Sequence, residues 1–444
     1  MMKNIYHLFL KTKWWKKLII LFLIFFPLRF LFGIFSEFWF EDEIQIYLIG
    51  LKFYSTGHWP YFGPDVVYTF SQIPGALQGL LVAFPFYIFK IPEAPYILLN
   101  LLSFFSLFLL GYYIIRYHTP NIPEWFLWIW IFTAPWVLSF STHIINPSYV
   151  LPAAILFFIS LLEIIPATNK NFIKPNTAFF FLGFCVIWIF QLHLSCILLI
   201  PFICIAFYFS LKKDLKSFFT SLSCFIIGCV ISGITLFPTL FKYGISAGSG
   251  DAASNIVFNV SNIKEVLTVL VRILSFASFE LTRFMGSNTV ERLNFASQYY
   301  WAIPFIVIVG IIGIAQVGWM IIAWFSKNEN ESWSAIKYLI LISFLFTYFS
   351  FFFSVKGPSS HTFYLLLPLA MIYSFYCWQF LFKRKWIKII AAIFLLSGII
   401  FHVALGIHNY KNKSMYINRG KPLKAIQQKD YTILGERRTY DRNK

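Results

Sequence analysis

Apolar residues gather in long blocks along this chain, at 18–35, 73–89, 95–115, 125–140, 147–165, 178–192, 194–209 and 218–240. A polar interval, 241–300, follows, and then four more blocks, at 301–325, 336–353, 361–382 and 387–407. The earlier blocks are near or somewhat below the roughly 20 residues that carry a helix across a bilayer, and the last four are of spanning length. The pattern predicts an all-α polytopic membrane protein of about 11–13 transmembrane helices. No repeat of fixed period is visible.

Two polar intervals carry a helical period of their own. From Asp42 to Tyr54, the apolar positions 44, 47, 48, 51 and 54 recur at helical spacing, with Gln45 and Lys52 off that face. The spacing predicts an amphipathic helix lying on the membrane surface. Gly57 marks its end, and Pro60, Gly63 and Pro64 impose turns. In the second interval a glycine-rich stretch from Gly244 to Asp251 precedes apolar positions 263, 266, 267, 270, 273, 274 and 277. These predict a second surface helix from Ile263 to Phe284. The chain thus divides into an N-terminal module, 1–240, with a first outer loop at 36–72; a central outer loop, 241–300; a C-terminal membrane module, 301–407; and a tail, 408–444, with ten bases against three acids.

Composition fixes the solvent. Hydrophobic residues make up 59% of the chain and charged residues 12%, and the mean hydropathy is +0.71. The formal charge of +18 would suggest nucleic acid in a soluble chain, but here the bases sit in short loops and at the termini, where they face lipid headgroups. Lys3, Lys11, Lys13, Lys16 and Lys17 place the N-terminus in the cytoplasm and the first loop outside. No small-residue cleavage site follows the first block, so it reads as a retained span rather than a signal peptide. All six cysteines lie within apolar segments without metal spacing.

Orientation exposes a conflict. Lys212, Lys213 and Lys216 belong in the cytoplasm, which puts 241–300 outside; seven crossings after the first loop would put it inside. One block is therefore not a crossing. The candidates are 73–89, bracketed by Pro74, Gly75 and Pro85, and the pair around Gln191 and His193. Either choice implies a sheltered cavity, because irregular backbone at membrane depth needs one.

The first outer loop sets Glu37, Glu41, Asp42, Glu43 and Asp65 against a single base, Lys52. Helix capping accounts for acids in a first turn. It does not account for five acids in one loop of a basic protein. Elsewhere, Gln191 and His193 interrupt apolar sequence, Arg29 stands near the end of the first span, and Lys356 and His361 flank a Gly-Pro-Ser-Ser turn. Arg29 suits either snorkelling to headgroups or binding phosphate. Arg272, Arg283 and Arg292 suit phosphate in the same way, or surface pairing with Glu280 and Glu291.

Arg29, then Asp42-Glu43, Tyr47, Gly57-x-Trp59-Pro60 and the apolar block opening at Pro74-Gly75 resemble the start of GT-C membrane glycosyltransferases. The likeness is to the branch of protein O-mannosyltransferases, lipid A aminoarabinose transferases and rhizobial galacturonosyltransferase-like proteins. It covers 18–90 most specifically and continues by segment order to about 300. It implies an enzyme of a bacterial cytoplasmic membrane that moves a sugar from a polyprenyl-phosphate donor to a glycan, lipid or protein acceptor on the outer face, with inversion. Asp42 would be the general base, a role typically contributing about 10² to 10⁴ in rate, with Glu43 in support. Arg29, Tyr47, Gln72, Asn146, Gln191, His193, Arg272, Arg283, Lys356 and His361 would contact substrate. No cofactor is required, although a divalent cation near Asp42 and Glu43 is compatible with the chemistry. Two departures stand out: Ser71-Gln72-Ile73-Pro74-Gly75 replaces a Glu-Lys-Pro-Pro type segment, and Asn146-Pro147-Ser148 stands where relatives often carry a second acid. The rival readings are a surface-polysaccharide polymerase or ligase, and a flippase for lipid-linked saccharide, which would show inverted repeats and a midplane site.

Overall fold

The computed structural model describes residues 13–37, 41–66, 71–118, 121–245, 258–276, 278–326, 331–354, 357, 359–412 and 418–434; for residues 41–43 and 412 it describes the backbone alone. The elements in order are α1 (Trp14–Ser36), α2 (Glu41–Thr56), β1 (Phe62–Val66), β2 (Ser71–Pro74), α3 (Leu77–Ile88), α4 (Ala94–Tyr113), α5 (Glu124–Thr133), α6 (Pro135–Ser141), α7 (Val150–Ile164) and α8 (Pro175–Phe190). They continue with α9 (Ile200–Lys213), α10 (Leu215–Gly233), α11 (Phe237–Tyr243), α12 (Val266–Ser275), α13 (Leu281–Phe284), α14 (Thr289–Gln298), α15 (Ile303–Trp324), α16 (Glu331–Ser350), α17 (Leu367–Leu381), α18 (Lys385–Asn412) and α19 (Gly420–Gln428). Among the described residues, eight helices are long and apolar enough to cross a membrane, and three apolar helices are shorter: α3, α7 and α8. The protein is an all-α membrane protein apart from one small hairpin, β1 with β2, which the Gly- and Pro-bearing loop sequence did not suggest.

Contacts at the helix ends separate the bundle into two ends. At one, Lys17 pairs with Glu124 at 2.8 Å, Tyr113 donates to Glu163 at 2.7 Å, and Ser332 donates to the Ala167 carbonyl. At the other, Asn409 donates to the Ser36 carbonyl at 3.0 Å, and Gln191 joins the chain after α8 to the end of α10 through the Ser232 carbonyl at 2.9 Å. Helix α3 begins and finishes at this second end. Its N-terminal neighbour Ala76 donates to the Thr235 carbonyl, while Pro92, just beyond its C-terminus, accepts from Tyr47 of α2. Of the two candidates for the non-crossing block, 73–89 is the one that turns back.

Apolar packing holds these elements. Twelve of the fifteen residues of α7 are buried, so protein surrounds it on all sides, which suits a helix too short to meet lipid along its length. Helix α10 is peripheral and is attached through α8. A Cβ on Gly183 would stand 2.0 Å from the Phe225 carbonyl oxygen, and one on Gly228 2.0 Å from that of Phe180, so the two backbones touch where side chains are absent. Small residues at such crossings permit the close van der Waals contact that drives helix association in lipid.

Two expectations need correction. The block at 218–240 is two helices, since α10 ends at Gly233 and Pro238 begins α11 anew. The surface helix expected from Ile263 to Phe284 stops at Ser275: Phe276 turns left-handed (φ 53°) and its ring lodges against Trp130 at 4.7 Å. Its inner face, Val269 and Ile273, is buried, whereas Leu267 stays 67% exposed. The polar tail carries α19 and a 3-10 turn, Tyr431–Leu434, whose Tyr431 ring meets Lys52 of α2.

Candidate functional site

Helix α2 opens at Glu41, placing Asp42 and Glu43 in its first turn; their side chains lie outside the described residues. One turn on, at the i+3 spacing that shares a face, Gln45 is buried and donates to Asp65 Oδ2 at 2.9 Å. Gln72, opposite Asp65 in the hairpin register, donates to Oδ1 at 3.1 Å. Asp65 is thus held between two carboxamides. Beside the hairpin, Gln78 is buried with neither its amide oxygen nor its nitrogen hydrogen-bonded. Buried polar groups normally find partners, so a carboxamide in this state points to a polar guest or water. Glu37 is likewise buried, accepting the Ile144 N–H at 3.0 Å and a hydrogen bond from Tyr96. Of the five loop acids, Glu37 and Asp65 therefore serve the fold, and Glu41, Asp42 and Glu43 share the opening turn of α2.

The same end of the bundle collects four of the expected substrate contacts from three separate regions. His193 precedes the turn into α9, His361 lies in the 3-10 turn Ser360–Leu366 before α17, and their rings meet edge-on at 5.8 Å. Arg272 of α12 and Arg283 of α13 both act electrostatically on His361. The chain reversal at Phe276 brings Glu280 back to Arg272 (2.5 Å), and the other Glu280 oxygen accepts the Ser360 hydroxyl. Arg283 is exposed. His193 Nδ1 accepts the Ser195 backbone N–H at 3.1 Å, which leaves Nε2 as the protonated nitrogen of the neutral ring. Burial, with a smaller contribution from His361, pushes His193 down to about 3, so it stays neutral at physiological pH. In the sequence Glu280 suits only a surface ion pair. Its buried link to Ser360 needed the left-handed turn that no periodicity reports.

Other expected contacts are engaged within the fold. Arg29 is fully buried, neither snorkelling nor open to a phosphate at the surface. It donates to the Phe132 carbonyl at 2.9 Å and to Ser141 Oγ at 2.7 Å. Phe132 lies where α5 gives way to α6 at Pro135, so the guanidinium satisfies a carbonyl freed by the helix break. Tyr47 is buried and donates to Pro92, and Gln191 bridges Ser232 and Thr235 (2.8 Å) while filling the space beside Gly75, whose φ of 107° only glycine adopts readily. Asn146 precedes a cis proline, and its Oδ1 is buried without a hydrogen-bond partner. Arg292 donates to the Gly286 carbonyl at 3.0 Å. Lys356 lies outside the described residues. Among the described residues no trio of His, Cys, Asp or Glu is grouped to hold a metal.

A cavity of about 500 Å³, which no local pattern announces, lies between α1 and α18, the first and last spans. Leu28, Leu31, Val403 and Ile407 wall it, and Phe35 and Tyr410 stand at its upper end. Leu28, Leu31 and Val403 are exposed on the helix surfaces that face away from the bundle, so the hollow opens sideways. His402 lines it, and its Nδ1 donates to the Gly398 carbonyl at 2.7 Å. The upper end lies one residue short of Ser36, where the chain leaves α1 for the acidic turn of α2. No family model, curated protein or solved structure matches this chain.

Proposed function

We propose that the protein is a GT-C-type membrane glycosyltransferase that draws a sugar from a polyprenyl-phosphate donor and works on the outer face of a bacterial cytoplasmic membrane. The observation that supports this reading is the sideways-open apolar hollow between the first and last spans, whose upper end at Phe35 and Tyr410 lies beside the end of α1. A long lipid carrier needs such an entrance; a soluble sugar donor does not. The eight long spans, α7, α8 and the broken pair α5–α6 make eleven crossings, with α3 outside. Lysine-rich turns at one end, including Lys212, Lys213 and Lys216, support a cytoplasmic location for that end and an outer one for α2.

In the reaction, the acceptor hydroxyl oxygen attacks the anomeric carbon while Asp42 takes its proton, and polyprenyl phosphate leaves with the electrons of the broken C–O bond. Arg283 and Arg272 lie at the same end and are suited to stabilise the charge that gathers on the departing phosphate. Glu280 neutralises Arg272 until a phosphate competes for it. The test uses purified protein in lipid nanodiscs with a polyprenyl-phosphate sugar. Asp42→Asn should abolish turnover and leave donor binding within twofold of the native protein. Transport of the lipid-linked sugar across vesicles without sugar transfer would replace this reading with the flippase.

A further inference from the structure

The C-terminal segment contains its own folding signals. Gly420–Gln428 forms α19, whose Pro422, Ala425 and Ile426 are buried while its lysines are exposed. Lys429 turns left-handed (φ 51°), letting the Asp430 N–H cap the helix on the Ala425 carbonyl at 2.9 Å. Asp430 then accepts from the Thr432 N–H and hydroxyl, which starts a 3-10 turn at Tyr431–Leu434. The result is a short ordered strap in place of a loose basic tail.

That strap is fixed at its start to the turn before α4 and at its finish to α2. Near its start, Arg419 forms a two-pronged pair with the buried Glu93, Nε to Oε1 at 2.5 Å and Nη2 to Oε2 at 3.1 Å. The neighbouring Pro92 carbonyl holds the Tyr47 hydroxyl, so the pair anchors the middle of α2 as well as the turn before α4. Near its finish the two segments exchange cations: Lys429 sits over the Tyr54 ring at 5.4 Å, and Lys52 over the Tyr431 ring at 5.8 Å. Each such contact is modest, but the reciprocal pair fixes register as well as distance.

We propose that the segment Arg419–Leu434 is a clamp that sets the position of α2, with Arg419 as its main positioning residue. As a claim about the site, this rests on the glycosyltransferase reading. As a claim about α2, it stands alone. The first half of α2 is already held, with Ile44 to Leu48 buried in succession and Tyr47 bonded to Pro92, so the strap adds its contacts at the other end, around Lys52 and Tyr54. The strap thereby links that end of α2 with the turn before α4.

The test compares the native protein with a chain ending at Asn412, with Arg419→Glu and Glu93→Arg singly and together, and with Arg419→Lys. Backbone hydrogen exchange is read over residues 44–56, with α8 and α10 as internal references. Truncation and each single reversal should speed exchange in α2 at least tenfold and leave the references unchanged, and the double reversal should restore protection. Arg419→Lys should recover only part, since an ammonium cannot reproduce the two-pronged contact. Unchanged α2 exchange in the single reversals overturns the clamp. So does faster exchange everywhere with no rescue by the double reversal, because Arg419 would then be a general stability contact. Sugar transfer measured alongside separates the two claims: exchange that changes as expected, with no transfer in any form of the protein including the native one, upholds the clamp and refutes the enzyme.

Discussion

Removing Arg283 is the cleanest way to ask whether the outer arginines serve a phosphate. The side chain is exposed, and among the described residues it forms no ion pair or hydrogen bond, so Arg283→Ala should leave thermal stability within about 0.5 kcal/mol of native. A hydrogen bond to a charged group contributes about 1.5–3 kcal/mol, and solvent exposure discounts this to about 1–1.5 kcal/mol. The donor should therefore bind about 5- to 13-fold more weakly. Arg272→Ala behaves differently. It strips the ion partner from a buried Glu280, a loss of about 3 kcal/mol or more, and should lower the melting temperature as well as the affinity. Binding of a short-chain polyprenyl monophosphate in nanodiscs, read against a polyprenol without phosphate, measures the effect. Equal affinity of native and Arg283→Ala protein for the phosphate would refute the assignment of this cluster to the carrier.

Glu37→Ala leaves the Ile144 N–H and the Tyr96 hydroxyl buried without their acceptor, and should destabilise the protein by about 2–5 kcal/mol in detergent melts; a change below 0.5 kcal/mol, roughly the noise of a surface substitution, would exclude this role. Gly228→Val should part α10 from α8 at a cost of about 1–3 kcal/mol or more. Gly310→Ala, with nothing within 4 Å of the added atom, should be neutral in the same melts, and equal effects would discount the crossing. Because burial holds His193 at about 3, far below its unfolded value, the unfolded chain takes up a proton first on acidification. The stability from keeping this ring neutral is complete above about pH 6.5 and is lost as pH falls towards 3, by about 2 kcal/mol between pH 6.5 and 5. His193→Gln should therefore lose less melting temperature than native protein over that range, and parallel losses would show that His193 is not buried neutral.

The blocks of apolar sequence reported the spans because lipid demands length and hydrophobicity, and both are written locally. Helix α2 was legible for the same reason: Ile44, Tyr47, Leu48, Leu51 and Tyr54 are all buried, as their spacing required, and Gly57 ends the helix with φ 73°. Periodicity does not say what a face meets. Leu267 and Ile273 both fit the apolar spacing, yet the first is exposed and the second packed, because six residues set them about 120° apart around α12 and only one side meets the bundle. A charged residue in a span was equally silent about its partner: Arg29 answers a carbonyl freed 103 residues later in sequence. The clamp was hidden by composition, since its lysines made it resemble a solvated tail while Ala425 and Ile426 are fully buried. The hollow between α1 and α18 joins segments more than 360 residues apart, a distance no local pattern spans.

The central claim is sugar transfer driven by a carboxylate on the first turn of α2. It meets its most direct test in mass analysis of lipid-linked and envelope glycans from cells lacking the protein, complemented with native or Asp42→Asn chains made to equal levels. Loss of one sugar from an envelope component, build-up of its polyprenyl-phosphate form, and rescue by native but not Asp42→Asn protein is the predicted outcome. Identical glycan profiles in all strains, or full rescue by Asp42→Asn, would contradict it.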